Sequence, residues 1–354
     1  MKTIAIYSTK GGVGKTTLCA NLATHLSLRH KKKVLIIDLD PQANITNYML
    51  GDELATRVIE PYYKKGVTKE YNTIIDVFDN YTPNDGKINP NIKNIICGRF
   101  HSDLIAGNPS LASYDDLFRK KWDQLSAQDD TSGLTTTNWI YSILQKNKNE
   151  YDYILIDLSP GISSINRTAM LAADYFILPI GYDVVSLMAI KYINKWFDEW
   201  IPSYNSQLGT LEKDNPSMLS SIKDDIRSRV LINQGFLGYT VQPHTSRYSS
   251  GIKGGTISSY QNMIINFEHE VQHNLAYFKK HTIIDNPVLN LGEIPNIPSI
   301  LALSKFVASP IADLNASDGL AGSQYAQAKN YMKALDQISD RIINNIEGGH
   351  DVSR

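Results

Sequence analysis

Lys10-Gly11-Gly12-Val13-Gly14-Lys15-Thr16-Thr17 follows a short β-branched and aromatic run, Thr3-Ile4-Ala5-Ile6-Tyr7. It precedes a segment with Leu18, Leu22 and Leu26 at helical spacing. A glycine-rich loop between a buried strand and a helix N-terminus is a phosphate cradle. Glycine lets the backbone come close, successive N–H groups point inward, and the helix end favours negative charge. In such a loop Lys15 reaches the β and γ phosphates and the Thr16 hydroxyl ligates magnesium. Gly11, Gly12, Val13, Gly14 and Thr17 complete the wrap.

Outward from this loop, apolar runs alternate with helical patterns. That alternation predicts an α/β fold, a mainly parallel, doubly wound sheet with helices on both faces, and the loop motif makes it a P-loop NTPase sheet. Strands are expected at 3–7, 34–38, 92–97, 153–157, 175–179 and 230–233, with a weaker one near 288–291. Helices are expected at 16–29, 110–125, 136–146, 163–172 and 184–200, from apolar spacing of three to four residues. The expectation is one domain over 1–354, enlarged by inserts. The stretch 51–90 is polar and Tyr-rich, and 203–228 reads as a linker or surface helix. Residues 251–256, with three glycines, read as a mobile loop before a helix from 258 to about 278. A last helix, about 323–346, carries Tyr331, Leu335, Ile338, Ile342 and Ile346 on one face and stops at Gly348-Gly349. That face docks on the domain or lies on a membrane; membrane-surface helices carry lysine and arginine along the polar face, whereas this one ends Asp340-Arg341-Ile342-Ile343-Asn344-Asn345-Ile346-Glu347, which favours docking.

The composition, 42% hydrophobic and 20% charged over 354 residues, is ordinary for a globular chain. A net charge of −1 excludes a strongly basic nucleic-acid protein but not a local basic patch. Cys19 and Cys97 are too few and too far apart for a disulfide scaffold or thiolate metal site. With no secretory apolar region before the loop and no run long enough to span a bilayer, a soluble cytoplasmic protein is expected.

Two further strand ends carry carboxylates. Tyr153-Ile154-Leu155-Ile156-Asp157 puts Asp157 where ligands of open α/β sheets bind. It either caps the next helix or, coupled to the loop, holds magnesium. Val34-Leu35-Ile36-Ile37-Asp38 runs into Leu39-Asp40-Pro41-Gln42. Phosphoryl transfer to water needs a group that places the attacking water in line. Either aspartate also suits a plain turn.

The loop departs from the plain phosphate-loop pattern in one place: Thr9 stands at the first glycine, and a second lysine, Lys10, stands at the entrance. On composition alone Lys10 is a solvated charge. The whole string, however, resembles the deviant Walker A motif of the ParA/MinD-type ATPases, closest to the ParA-like partition ATPases. In that family the extra lysine crosses a dimer interface to the partner's nucleotide. The segment from Asp38 to Gln42 is similar to the family's switch I, which implies that Asp40 orients the water and Asp38 supports the magnesium shell. Leu158-Ser159-Pro160-Gly161 is similar to its Asp-x-Pro-Pro turn, with Ser159 for the first proline. Asn233, at the end of the expected strand 230–233, matches an asparagine that hydrogen-bonds adenine. Pro298, in Ile297-Pro298-Ser299, matches the segment whose backbone packs on the base.

The resemblance implies an ATPase using ATP and Mg2+, slow until stimulated by a partner, homodimeric with ATP and working with a DNA-binding adaptor in the partition of a replicon. Non-specific DNA is a candidate ligand, although Ser299 and Ala302 stand where relatives often carry arginine. Remaining basic candidates are Arg227, Arg229, Arg247, Lys253, Lys279, Lys280 and Lys305. The alternative is a regulatory or positioning ATPase acting on a protein assembly or membrane site without DNA. An iron–sulfur reductase would need more cysteines, a tyrosine kinase relative would end in a tyrosine cluster, and a metabolic ligase on this scaffold generally lacks Lys10.

Overall fold

The computed structural model describes residues 1–83, 86–126, 131–181, 183–230, 232–242 and 269–347. Eight strands form one sheet in the order β3-β4-β2-β5-β1-β6-β7-β8. They are β1 (Lys2–Ile6), β2 (Val34–Asp38), β3 (Ile95–Cys97), β4 (Ser102–Ile105), β5 (Tyr153–Asp157), β6 (Tyr175–Gly181), β7 (Phe236–Gln242) and β8 (Asn290–Glu293). Every pairing is parallel except that of edge strand β3 with β4.

The central strands are apolar on both faces, as a parallel sheet covered by two helical layers requires. Alternate residues feed two cores. Ala5, Leu35, Ile37, Ile154 and Ile156 point into one, and Ile4, Ile6, Val34, Ile36 and Leu155 into the other. The first core is closed by α3 (Asp115–Asp123), α4 (Ser132–Thr137), α5 (Trp139–Asn147), α6 (Ser164–Ala172) and α7 (Val184–Asp214). The second is closed by α1 (Lys15–His30), α2 (Asn44–Ile59), the helix Pro298–Phe306 and the C-terminal helix Gln324–Glu347.

The C-terminal helix docks. Tyr331, Leu335, Ile338, Ile342 and Ile346 are buried in the second core. Asp336 and Asp340 face α1, with Arg29 at 3.1 and 2.9 Å and His25 at 2.9 Å from Asp336.

Several elements differ from expectation, each for a local reason. The expected strand 230–233 is a 3-10 turn at Ile232–Gln234, and the strand begins at Phe236. Gly235 and Gly238 look like chain breakers but serve close backbone approach: a Cβ would stand 2.0 Å from Asp174 O at the first and 2.3 Å from Leu289 O at the second. β4 is a strand unforeseen in the sequence, and the strand expected at 92–97 begins only at Ile95. Helix α2 was hidden by Gly51, which kinks it at φ 73°. Of the two readings of 203–228, linker or surface helix, the helix is the one found. Helix α7 runs on through Pro202 to Asp214 and buries Tyr204, Leu208 and Leu211, and the short helix Pro216–Ile222 follows. The glycine loop at 251–256, the first part of the helix expected from 258, and Gly348-Gly349 lie outside the described residues.

Candidate functional site

The phosphate loop leaves the C-terminal end of β1, the centre of the sheet, and β5 and β2 bring Asp157 and Asp38 to the same edge in register with each other. Gly12 and Gly14 take φ of 75° and 79°, the left-handed region that glycine enters without strain. Gly14 is also the N-cap of α1, so the turn that ends the loop begins the helix. Lys15 is buried, and its Nζ donates to the Lys10 carbonyl at 3.2 Å. Burial holds its pKa below the usual lysine value, against the pull of Asp157 and Asp40. The Thr16 hydroxyl donates to Asp157 Oδ2 at 2.8 Å.

Asp157 Oδ1 is buried without a hydrogen-bond partner. Burial raises the Asp157 pKa well above the carboxylate range, and the neighbouring Asp38 charge adds to it. Asp38 is likewise fully buried, and its pKa is pushed up to about 7 by burial, against hydrogen bonds from Thr46 and Asp40. Both Asp38 oxygens are engaged: Oδ2 accepts from the Thr46 hydroxyl at 2.6 Å and amide at 3.1 Å, and Oδ1 from the Asp40 amide at 3.1 Å. Asp38 thus faces the turn that follows it. Asp40 is buried in that turn, with Oδ1 accepting from the Gln42 amide at 3.0 Å. Ala43 closes the turn at φ 51° and caps α2.

Lys10 is not a free surface charge. Its Nζ lies 2.8 Å from Asp183 Oδ2, and Asp183 caps α7 through the Ser186 amide. Burial tends to raise the Asp183 carboxyl, but hydrogen bonds from Lys10 and Ser186 prevail and hold it below its ordinary value.

Two of the expected site residues fare differently. Asn233 is not at a strand's C-terminal end. It precedes β7, at the edge of the sheet away from the phosphate loop, because the strand starts later than its apolar run suggests. The residue that ends β7 is Gln242, whose Oε1 is buried without a partner and faces Gly14, where a Cβ would stand 2.7 Å away. The apolar run Phe236–Val241 was the signal for it, broken by Gly238. Pro298 opens its helix just after the C-terminal end of β8, exposed, on the loop's side of the sheet.

The basic candidates scatter. Arg227 is bound to Asp174 at 2.8 Å and to the Ala172 carbonyl, a structural role. Arg229, Lys279, Lys280 and Lys305 are exposed, while Arg247 and Lys253 lie outside the described residues. Ser299 and Ala302 are exposed on their helix beside Phe306, which is 88% exposed. Among the described residues no helix is long and apolar enough to cross a membrane.

A family model described as an AAA domain matches residues 1–210. A virulence plasmid ParA family protein of Chlamydia psittaci is 26% identical over 282 residues, 78% of this chain and 96% of that protein. Among solved structures, a Corynebacterium diphtheriae protein superposes with a TM-score of 0.69 at 22% identity, over 98% of this chain and 99% of that one. The ParA of pNOB8 bound to nonspecific DNA superposes at 0.57 with 17% identity, over 98% of both chains. These structural likenesses carry the fold.

Proposed function

The chain belongs to the ParA-type partition ATPase family, and from that membership we propose that it is a nucleotide-driven dimerisation switch for DNA partition. It binds ATP with magnesium, pairs with a second copy across the nucleotides, and hydrolyses slowly until a partner stimulates it. The observation that carries this reading is the meeting of Lys15, Thr16, Asp157 and the Asp40 turn at adjoining strand ends.

The residues suit a magnesium ion. A hydroxyl and a carboxylate, with an orphaned buried Oδ1 between paired acidic strand ends, form an oxygen donor set for a hard divalent cation. Thr16 and Asp157 would hold the ion, which would supply positive charge against that of the phosphates. Lys15 and the loop amides hold the phosphates, and Asp40 orients the attacking water. Lys10 serves the partner's nucleotide. Gln242, rather than Asn233, is the side chain of β7 offered to the nucleotide, and Pro298 flanks the base.

We place the protein in the cytoplasm, with a DNA-binding adaptor as partner. A second reading, an ATPase that docks on a protein assembly without DNA, is favoured by one observation: the face bearing Ser299, Ala302 and Phe306 has no arginine. ATP turnover by wild type, Lys15→Ala and Asp40→Ala tests the core proposal. Lys15→Ala should lose ATP binding in calorimetry, and Asp40→Ala should bind ATP and accumulate as dimer. A Lys15→Ala protein that still binds ATP would sink the site assignment.

A further inference from the structure

Thr46 is fully buried, yet its hydroxyl is the crossing point of three elements. It donates to Asp38 Oδ2 at the end of β2 at 2.6 Å, and it accepts from the Gly107 amide, just past β4, at 2.7 Å. Its own amide, in the first turn of α2, donates to the same Asp38 oxygen at 3.1 Å. The other Asp38 oxygen holds the Asp40 amide at 3.1 Å. Gly107 leaves no room for a side chain there, since a Cβ would stand 2.6 Å from the Asp38 carboxylate. Asp40 is therefore carried on a short turn tied at its start by Asp38 and at its far end by Thr46. The Ala43 amide, donating to the Asp40 carbonyl at 2.8 Å, closes it.

We propose that Asp38, Thr46 and the Gly107 amide form a post that positions the Asp40 turn for hydrolysis, and that Asp38 acts through Thr46 and Asp40 and not through magnesium. This rests on the ATPase reading above. Three of the roughly four acceptor directions of the Asp38 carboxylate are committed to the protein, on both oxygens, whereas Asp157 keeps one oxygen wholly unpartnered beside Thr16. Losing the Thr46 hydroxyl leaves the far end of the turn held to Asp38 by the Thr46 amide alone and strands the Gly107 amide. Since a misplacement of about 1 Å at a water-orienting group costs roughly a hundredfold in rate, the loss falls on turnover rather than on ATP binding.

The test is steady-state ATP hydrolysis by the full chain carrying Thr46→Val or Thr46→Ser, with magnesium titrated and melting followed for each. Thr46→Val should lower kcat by about a hundredfold, leaving KM for ATP and the magnesium half-saturation point at wild-type values. Thr46→Ser, which keeps the hydroxyl, should restore turnover. Wild-type kcat in Thr46→Val, or a loss expressed as weaker magnesium dependence, overturns the proposal while the ATPase reading stands. No ATP turnover in the wild type overturns both. Should Thr46→Val fail to fold, Gly107→Ala presses the same post from its other side, with the same split expected and an unchanged kcat decisive against it.

Discussion

The Lys10 ammonium stands 2.8 Å from the Asp183 carboxylate, tying the mouth of the phosphate loop to the first turn of α7. Both side chains keep about a quarter of their surface in water, so the pair contributes up to about 1 kcal/mol, roughly fivefold in an equilibrium. A lysine held within its own chain is not extended toward another.

Asp183→Asn should loosen that hold while keeping the helix cap, since asparagine caps as well as aspartate. If Lys10 serves a partner's nucleotide, the variant should dimerise with ATP at lower protein concentration than wild type. Sedimentation velocity across a concentration series reads this, and an unchanged midpoint would separate the ion pair from dimerisation.

Gly14→Ala should weaken nucleotide binding without unfolding the chain. Alanine at φ 79° costs about 1–2 kcal/mol, while the Gln242 amide that its Cβ would meet is the far end of a flexible side chain and can turn away. Calorimetric titration with ATP should show reduced affinity at a melting temperature close to wild type.

The contact between α1 and the C-terminal helix should weaken in acid. Burial lowers the pKa of His25 and of His30, against Asp336 and Asp340, with Arg29 lowering both and Lys32 adding to the effect on His30. A histidine whose folded pKa is depressed takes up its proton more readily when unfolded. Stability is therefore lost as pH falls below the ordinary value of 6.5, and the loss levels off below the folded pKa. Melting between pH 8 and 5 should show this fall, and His25→Gln should flatten it. An equal slope in the variant would assign the acid sensitivity elsewhere.

Ile338 is fully buried in the second core, so Ile338→Ala should cost about 2–5 kcal/mol in denaturant unfolding. A cost below that range would mean that the C-terminal helix adds little to the core.

DNA retardation should appear only with ATP, and the logarithm of affinity should fall linearly with the logarithm of salt. No retardation at low salt would favour the reading in which the protein docks on an assembly.

The sheet edge that carries the phosphate-loop motif was legible because its signals are local. Residues 10–17 form one continuous motif, and the β-branched runs before Asp38 and Asp157 are short, unbroken and buried on both faces. What escaped notice was written in glycine and proline. Gly51, Gly235 and Gly238 read as breaks, yet one bends a helix and two admit a neighbouring backbone. Pro202 reads as a stop, yet α7 passes through it. Sequence spacing carries no record of which neighbour comes close, so β7 was assigned to the wrong residues and Gln242 was overlooked. Thr46 and Asp183 were overlooked for the same reason, their partners lying on other elements.

The docking of residues 324–347 over α1 also sets an order of assembly. Helix α1 carries Lys15 and Thr16 at its first turn, and part of its outer side is covered by a segment translated some three hundred residues later. The loop and its helix are synthesised first, and that side stays bare until the C-terminal helix has been made. A nascent chain therefore holds the phosphate motif long before it holds the packing that steadies it.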